Sequence, residues 1–145
     1  MENPNGVSIR HGTKHIDWEE LCEIFIRAPL GMRDPIRLRC ASENSHTVVS
    51  AFVDGRLVGF GRAISDGEYQ SAIYDVVVLP EFQKMGIGLS IMNGLLDDLP
   101  KGTTICIYSA PGKQDFYRKL GFGNLKTGMG LFPNPDLSRA KGYLE

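Results

Sequence analysis

The spacing of apolar residues changes period several times along the chain, and each change marks a different element. Val7 to Arg10 reads as a first short strand. In "TKHIDWEELCEIFIRAP", Trp18, Leu21, Cys22, Phe25 and Ile26 recur at helical spacing. Asp17 and Glu20 form a capping box there, and Pro29 closes the segment. In "GMRDPIRLRCASENS" Asp34 reads as an N-cap, with Pro35 at the first helical position. The period then falls to two. "HTVVSAFVDGRLVGFGRAIS" is a hairpin turning at Asp54-Gly55, and a second turn at Asp66-Gly67 leads into the longer strand "YQSAIYDVVVLP". From Ile87 to Leu99 the period is helical again. Ile87, Ile91, Leu95 and Leu99 form one stripe, with Met92 and Leu96 beside it. "TTICIYS" reads as a strand and "KQDFYRKLG" as a short helix stopped by Gly121. "FGNLKTGMGLF" reads as a last strand or hairpin, followed by a Pro-containing polar tail.

This order predicts an α+β fold: a mixed, mostly antiparallel sheet flanked by helices, with one strand–helix–strand crossover. A chain of 145 residues is expected to form a single domain over 1–145, with 1–6 and about 134–145 peripheral or flexible. A formal net charge of -1 gives no reason to expect nucleic acid as a partner. No apolar run is long enough to span a bilayer, so no membrane association is expected; Asp75 interrupts the longest run. "MENPNGVSIR" lacks the apolar core of a signal peptide. Cys22, Cys40 and Cys106 are odd in number, far apart and in no metal-ligand spacing, and read as reduced core residues. A cytoplasmic location and no metal are the expectations.

The candidate chemistry lies between the long strand and the helix that follows, in Gln83-Lys84-Met85-Gly86-Ile87-Gly88. A strand delivering the chain to a helix N-terminus aims free N–H groups at one point, where the helix dipole also favours negative charge. Glycines at 86 and 88 remove the Cβ atoms that would hold a phosphate away, while Gln83 and Lys84 add polar donors at the rim. Alone, the pair of glycines reads equally as a tight turn. Neither the G-x-x-x-x-G-K-[ST] pattern nor a three-glycine dinucleotide fingerprint is present.

In company, the stretch says more. Val78-Leu79-Pro80 followed by Gln83–Gly88 resembles motif A of the GNAT superfamily of acyl-CoA-dependent N-acetyltransferases. "FYRKLGF" (Phe116–Phe122) resembles the end of that family's motif B. The front half is also similar, more weakly, to small members that include plastid serotonin N-acetyltransferases. The resemblance implies a GNAT fold and acetyl-CoA as co-substrate. It implies that backbone groups of Val76, Val77 and Val78 pair with the pantetheine arm like an added strand. It further implies that the amides of Gln83, Lys84, Met85, Gly86, Ile87 and Gly88 hold the pyrophosphate, and that Tyr117 protonates the departing thiolate. The last role is chemically sound, since a thiol of pKa ~8.5 leaves more easily with an acid at hand. One departure is that the Asn common seven residues before the tyrosine is Ala110 here, and the Ala three residues after that Asn is Lys113.

Only a neutral amine attacks a thioester, so the reaction also asks for a base. Asp75, a charge inside "AIYDVVVL", is either held structurally or is that base, directly or through water. Glu81 reads as a solvated loop charge. His11, His15 and His46, with no partner in spacing, read as surface residues, and Trp18 and Phe25 as core. The resemblance also implies that Ala28–Asp34 and Met129–Phe132 border the acceptor site, which makes them candidate lids. Cys106 has no adjacent His to make it a nucleophile. The expectation is transfer of acetyl from acetyl-CoA to a small-molecule primary amine in a ternary complex. The alternatives are a non-catalytic acyl-CoA-binding module of the same fold and a protein or peptide amine acetyltransferase. A homodimer, common in that family, has no signature in the residues.

Overall fold

The computed structural model describes residues 6–145. The chain divides into two compact units, one ending at Ile107 and the other running from Tyr108 to Glu145. The first six positions, expected to be peripheral, lie outside the described residues except for Gly6.

In the first unit, strands β1 (Val7–His11), β2 (Thr47–Val53), β3 (Arg56–Ser65), β4 (Gln70–Val78) and β5 (Thr104–Cys106) form one sheet in that order. Neighbours are antiparallel except β4 and β5, which run parallel and are joined through helix α3 (Ile87–Asp98). The β2–β3 turn has Asp54 and Gly55 both at positive φ, as its residues require. At the next turn the Asp66 carboxylate accepts from the amides of Glu68, Tyr69 and Gln70. Those bonds, Glu68 first, hold its carboxyl below the ordinary carboxylate range.

Helices α1 (Trp18–Arg27) and α2 (Pro35–Glu43) start on the predicted caps. Asp17 accepts from the amides of Glu19 and Glu20, and Asp34 accepts from the amide of Arg37. The capping box does not close: the Glu20 carboxylate accepts from the Leu57 amide, 3.3 Å away, and so ties α1 to β3. A buried strand amide outcompetes a cap that water can serve. Ile26, expected on the apolar stripe, is exposed, while Phe25 is fully buried with its ring 6.4 Å from that of Phe60. Cys22 is buried, which raises its thiol pKa, but Cys40 is exposed and Cys106 only half-buried. The expectation of three core cysteines therefore fails for Cys40, which points outward from a mostly polar helix.

Helix α3 buries Ile87, Ile91, Met92 and Leu95 against the sheet. The sequence "VGFGRA" explains how closely it packs. A Cβ on Gly59 would lie 2.8 Å from Ile91 Cδ1 and 3.2 Å from the Val77 carbonyl oxygen; one on Gly61 would lie 2.9 Å from Ile91 Cγ2. These two glycines let α3 sit directly on β3, which fixes where its N-terminus points. Among the described residues, no helix is long and apolar enough to cross a membrane.

β5 is shorter than predicted, pairing only at Thr104–Cys106. The second unit holds α4 (Gln114–Arg118) and α5 (Pro135–Ala140), and 122–132 forms no strand. That corrects the last expected strand or hairpin. Glycines at 123, 128 and 130 weaken strand propensity, and Leu125, Met129 and Leu131 are exposed rather than paired on a sheet face. The polar tail, in turn, contains a helix. Asn134 caps it by accepting from the Leu137 amide, with Pro135 following, the same start signal as Asp34-Pro35. Tyr108 packs edge to face against both Phe132 and Tyr143 in this unit.

Candidate functional site

The end of β4 passes through Leu79, whose amide bonds to Val58, into a 3-10 turn at Pro80–Phe82. Gln83 folds back so that its Nε2 donates to the Val78 carbonyl at 3.0 Å. Its side chain thereby braces the loop, and its own amide donates to the Pro80 carbonyl at 3.3 Å, so Gln83 does not present the open amide expected of it and the open run starts at Lys84. Lys84 (φ 67°) and Gly86 (φ 79°) both adopt left-handed backbone, and Gly86 is the N-cap of α3 with no side chain closing the cap. Glycine takes that conformation freely; for Lys84 it costs on the order of 1–3 kcal/mol, the kind of strain that gathers at ligand sites.

This geometry leaves donors open. The first helical bond runs from the Ser90 amide to the Gly86 carbonyl, so the amides of Ile87, Gly88 and Leu89 precede it and find no partner in the helix. Among the described residues, no backbone acceptor takes the amides of Lys84, Met85 or Gly86 either. Gly86 and Lys84 are exposed, and nothing lies within 4 Å of a Cβ placed on Gly86. A run of unpaired amides at a helix N-terminus with open space before it suits an anion such as a pyrophosphate.

The rim is braced by charge. Glu81 accepts from Arg27 at 2.7 Å and Arg56 at 3.3 Å, and the Arg56 guanidinium lies over the Phe82 ring. Its own backbone amide, then Arg27, hold the Glu81 carboxyl below the ordinary range. Glu81 is thus a bridge between α1, β3 and the loop, not the free charge that its sequence position suggests.

Val76, Val77 and Val78 lie on a strand edge that opens toward this loop. β5 pairs only with Gln70–Ala72, so beyond Ala72 the two strands part and, among the described residues, the outer edge of β4 carries no strand partner. Its pairing with β3 is broken too. Phe60 faces Val77 and Arg62 faces Tyr74, so Asp75 and Val76 together oppose Gly61 in a bulge. Asp75 holds φ 58° there, a conformation that Asp tolerates better than most residues.

Asp75 is the half-buried hub of this bulge. Its Oδ2 accepts from Arg62 Nε at 2.7 Å and its Oδ1 from Arg33 Nη2 at 3.2 Å, with the carboxylate 14% exposed. Arg33 comes from 28–34, the loop marked as a candidate lid, and its guanidinium lies 4.7 Å from the Phe25 ring centre. The two arginines could not be assigned to Asp75 from spacing, since they are 42 and 13 residues away from it.

Tyr117 belongs to the second unit, on α4, half-buried between Phe116 (centroids 5.0 Å apart) and Phe122 (5.9 Å). Desolvation pushes its phenol up to about 12. It therefore stays protonated across the neutral range, the form an acid needs.

Sequence spacing also hid a polar cluster at the C-terminal end of α3. His11 Nδ1 sits 2.5 Å from the Asp98 carboxylate, Thr47 donates to the same oxygen at 2.6 Å, and His46 Nε2 meets the Asp98 carbonyl at 3.3 Å. The histidines are exposed as expected, but two of them are partnered. Among the described residues, no group of three or more His, Cys, Asp or Glu side chains could hold a metal ion.

Residues 14–122 match the model of the acetyltransferase (GNAT) family. The chain is 37% identical over 123 residues to serotonin N-acetyltransferase 2, chloroplastic, of Oryza sativa subsp. japonica, a match covering 81% of this chain and 62% of that protein. It is 35% identical over 121 residues to the uncharacterized N-acetyltransferase ycf52 of Porphyra purpurea, covering 76% and 67%. The chain thus spans about three fifths to two thirds of the length of these relatives. A crystal structure of a putative acetyltransferase from Deinococcus radiodurans superposes with a TM-score of 0.78 at 21% identity, covering 92% of this chain and 94% of that one.

Proposed function

Because the chain belongs to the GNAT family of acetyltransferases, we propose that it transfers an acetyl group from acetyl-CoA to the primary amine of a small molecule, directly and without an acyl-enzyme. The observation that carries this reading is the loop of unpaired amides at 84–89, continuous with the open edge of β4. A thioester supplies an acyl group that a neutral amine can attack. Everything else falls to this chain's residues. The amides of Lys84 to Leu89 and the Lys84 side chain take the pyrophosphate, and the edge at Val76–Val78 offers backbone groups to an extended amide-bearing arm. Cradle and edge together lay the acyl end near the bulge at Asp75.

Asp75 suits a water-mediated base better than a direct one. Each of its oxygens already accepts from a guanidinium, leaving a second lone pair on each to orient a water. Tyr117 serves as proton donor to the leaving thiolate. From about 12 to a thiol's ~8.5 the full transfer is uphill by roughly 5 kcal/mol, so the phenol acts by hydrogen-bonding the sulfur as charge develops rather than by ionising first. The rice relative is named for serotonin, which supports a small primary amine as acceptor.

Thermal denaturation with and without CoA tests the cofactor half of this reading. At 100 times Kd the ligand should add about 2.7 kcal/mol of stability. An unshifted transition at millimolar CoA contradicts it.

A further inference from the structure

Resting on the reading above, but departing from serotonin, which has no carboxyl group, the geometry points to an acceptor amine that carries a carboxylate beside the amino group, held by Arg33 and Arg62 at the β4 bulge. If the pyrophosphate sits on the loop and the arm runs back along Val78 to Val76, the acyl carbon arrives at the level of Asp75. The charged groups meeting there are two guanidiniums and one carboxylate, Arg33, Arg62 and Asp75, which leave an excess of one positive charge. The side chains of Arg62 and Asp75 are 15% and 14% exposed and that of Arg33 is 34% exposed, so Arg33 is the member that a small molecule can reach.

Both guanidiniums are fixed and neither is used up. Arg33 spends Nη1 on the carbonyls of Leu30 and Met32 and Nη2 on Asp75; Arg62 spends Nε on Asp75 and Nη1 on Ser45. Arg33 Nε and Arg62 Nη2 have no acceptor among the described residues. Each guanidinium is backed by a ring, Phe25 at 4.7 Å and Tyr74 at 5.5 Å. Planar, immobilised guanidiniums with donors to spare recognise carboxylates well.

The same charge serves the chemistry. A local positive excess disfavours the ammonium form of the incoming amine and so raises the share of the neutral nucleophile. A carboxylate on the acceptor offsets the repulsion during binding. A polyamine gains nothing from this site and meets repulsion at every charge.

Matched pairs that differ in the carboxylate, with rates compared per neutral amine, isolate the effect: alanine against ethylamine, and tryptophan against tryptamine. With the full chain and acetyl-CoA, thiol release should give kcat/KM at least about tenfold higher for the carboxylate-bearing member, the order of one charge-assisted hydrogen bond. Arg33→Met should bring the ratio toward one, mainly through KM, while the CoA-induced thermal shift persists. Arg33→Lys should keep part of the preference. A second arm needs no turnover. In calorimetry with CoA present, N-acetylalanine should bind about tenfold more tightly than N-ethylacetamide. Equal or reversed preference in the product pair, or a ratio untouched by Arg33→Met, overturns the inference. Absence of turnover with every amine contradicts the transferase reading instead, and the calorimetric arm still decides the charge preference.

Discussion

Gly86 is the residue whose chemistry and conformation can be separated. Its φ of 79° makes any ordinary side chain pay backbone strain, yet a Cβ there meets nothing. Asn tolerates left-handed backbone, so Gly86→Asn should lose at most about 1 kcal/mol of stability. Its side chain would nevertheless stand in the anion's place, and CoA affinity should fall at least about tenfold by calorimetry. Equal affinity in the variant would refute the cradle. Tyr117 allows a similar separation. Among the described residues no hydrogen bond holds its hydroxyl, so Tyr117→Phe should keep CoA affinity and fold while lowering turnover roughly a hundredfold. Its phenol also predicts an alkaline signature. A folded value of about 12 against ~10 unfolded means the native state binds the proton more tightly. The associated stability is therefore complete below pH ~10 and declines as pH rises toward 12, by about 2–3 kcal/mol in all. Chemical denaturation at pH 9 and pH 12 should show that decline in the wild type and a smaller one in Tyr117→Phe.

Among the elements, α3 and the β3–β4 pair do the positioning. The glycines at 59 and 61 allow Ile91 to approach the sheet, so Gly59→Ala should cost about 1–3 kcal/mol by overpacking. It should also weaken CoA binding by displacing the N-terminus of α3, and a destabilised variant with unchanged affinity would show that the helix end is placed by other contacts. The strands β1 to β4 and the three long helices were legible because their signals are local: period, caps at Asp17 and Asp34, and Asp-Gly turns. The bulge was not, because it depends on Gly61 facing two residues across a sheet. The Asp75–Arg33–Arg62 cluster and the His11–Asp98–Thr47 contacts were hidden for the same reason, as each joins residues far apart in sequence. The failed strand at 122–132 shows the converse: apolar residues without a neighbouring strand do not make a sheet. The missed helix at Pro135–Ala140 was readable from Asn134-Pro135 and lost only because the tail looked polar.

At the scale of the molecule, one unit carries the sheet, the loop of open amides and the Asp75 cluster, while the other carries Tyr117. The proposed reaction needs all of them, so its central claim is best tested on the intact chain. Acetyl-CoA labelled in the acetyl group is mixed with the protein and a panel of primary amines, and the label is followed by mass spectrometry. The account predicts label in an amide of the acceptor, in step with free CoA, and none on the protein. Label left on CoA with every amine, or trapped covalently on the chain before any amine is added, would contradict it.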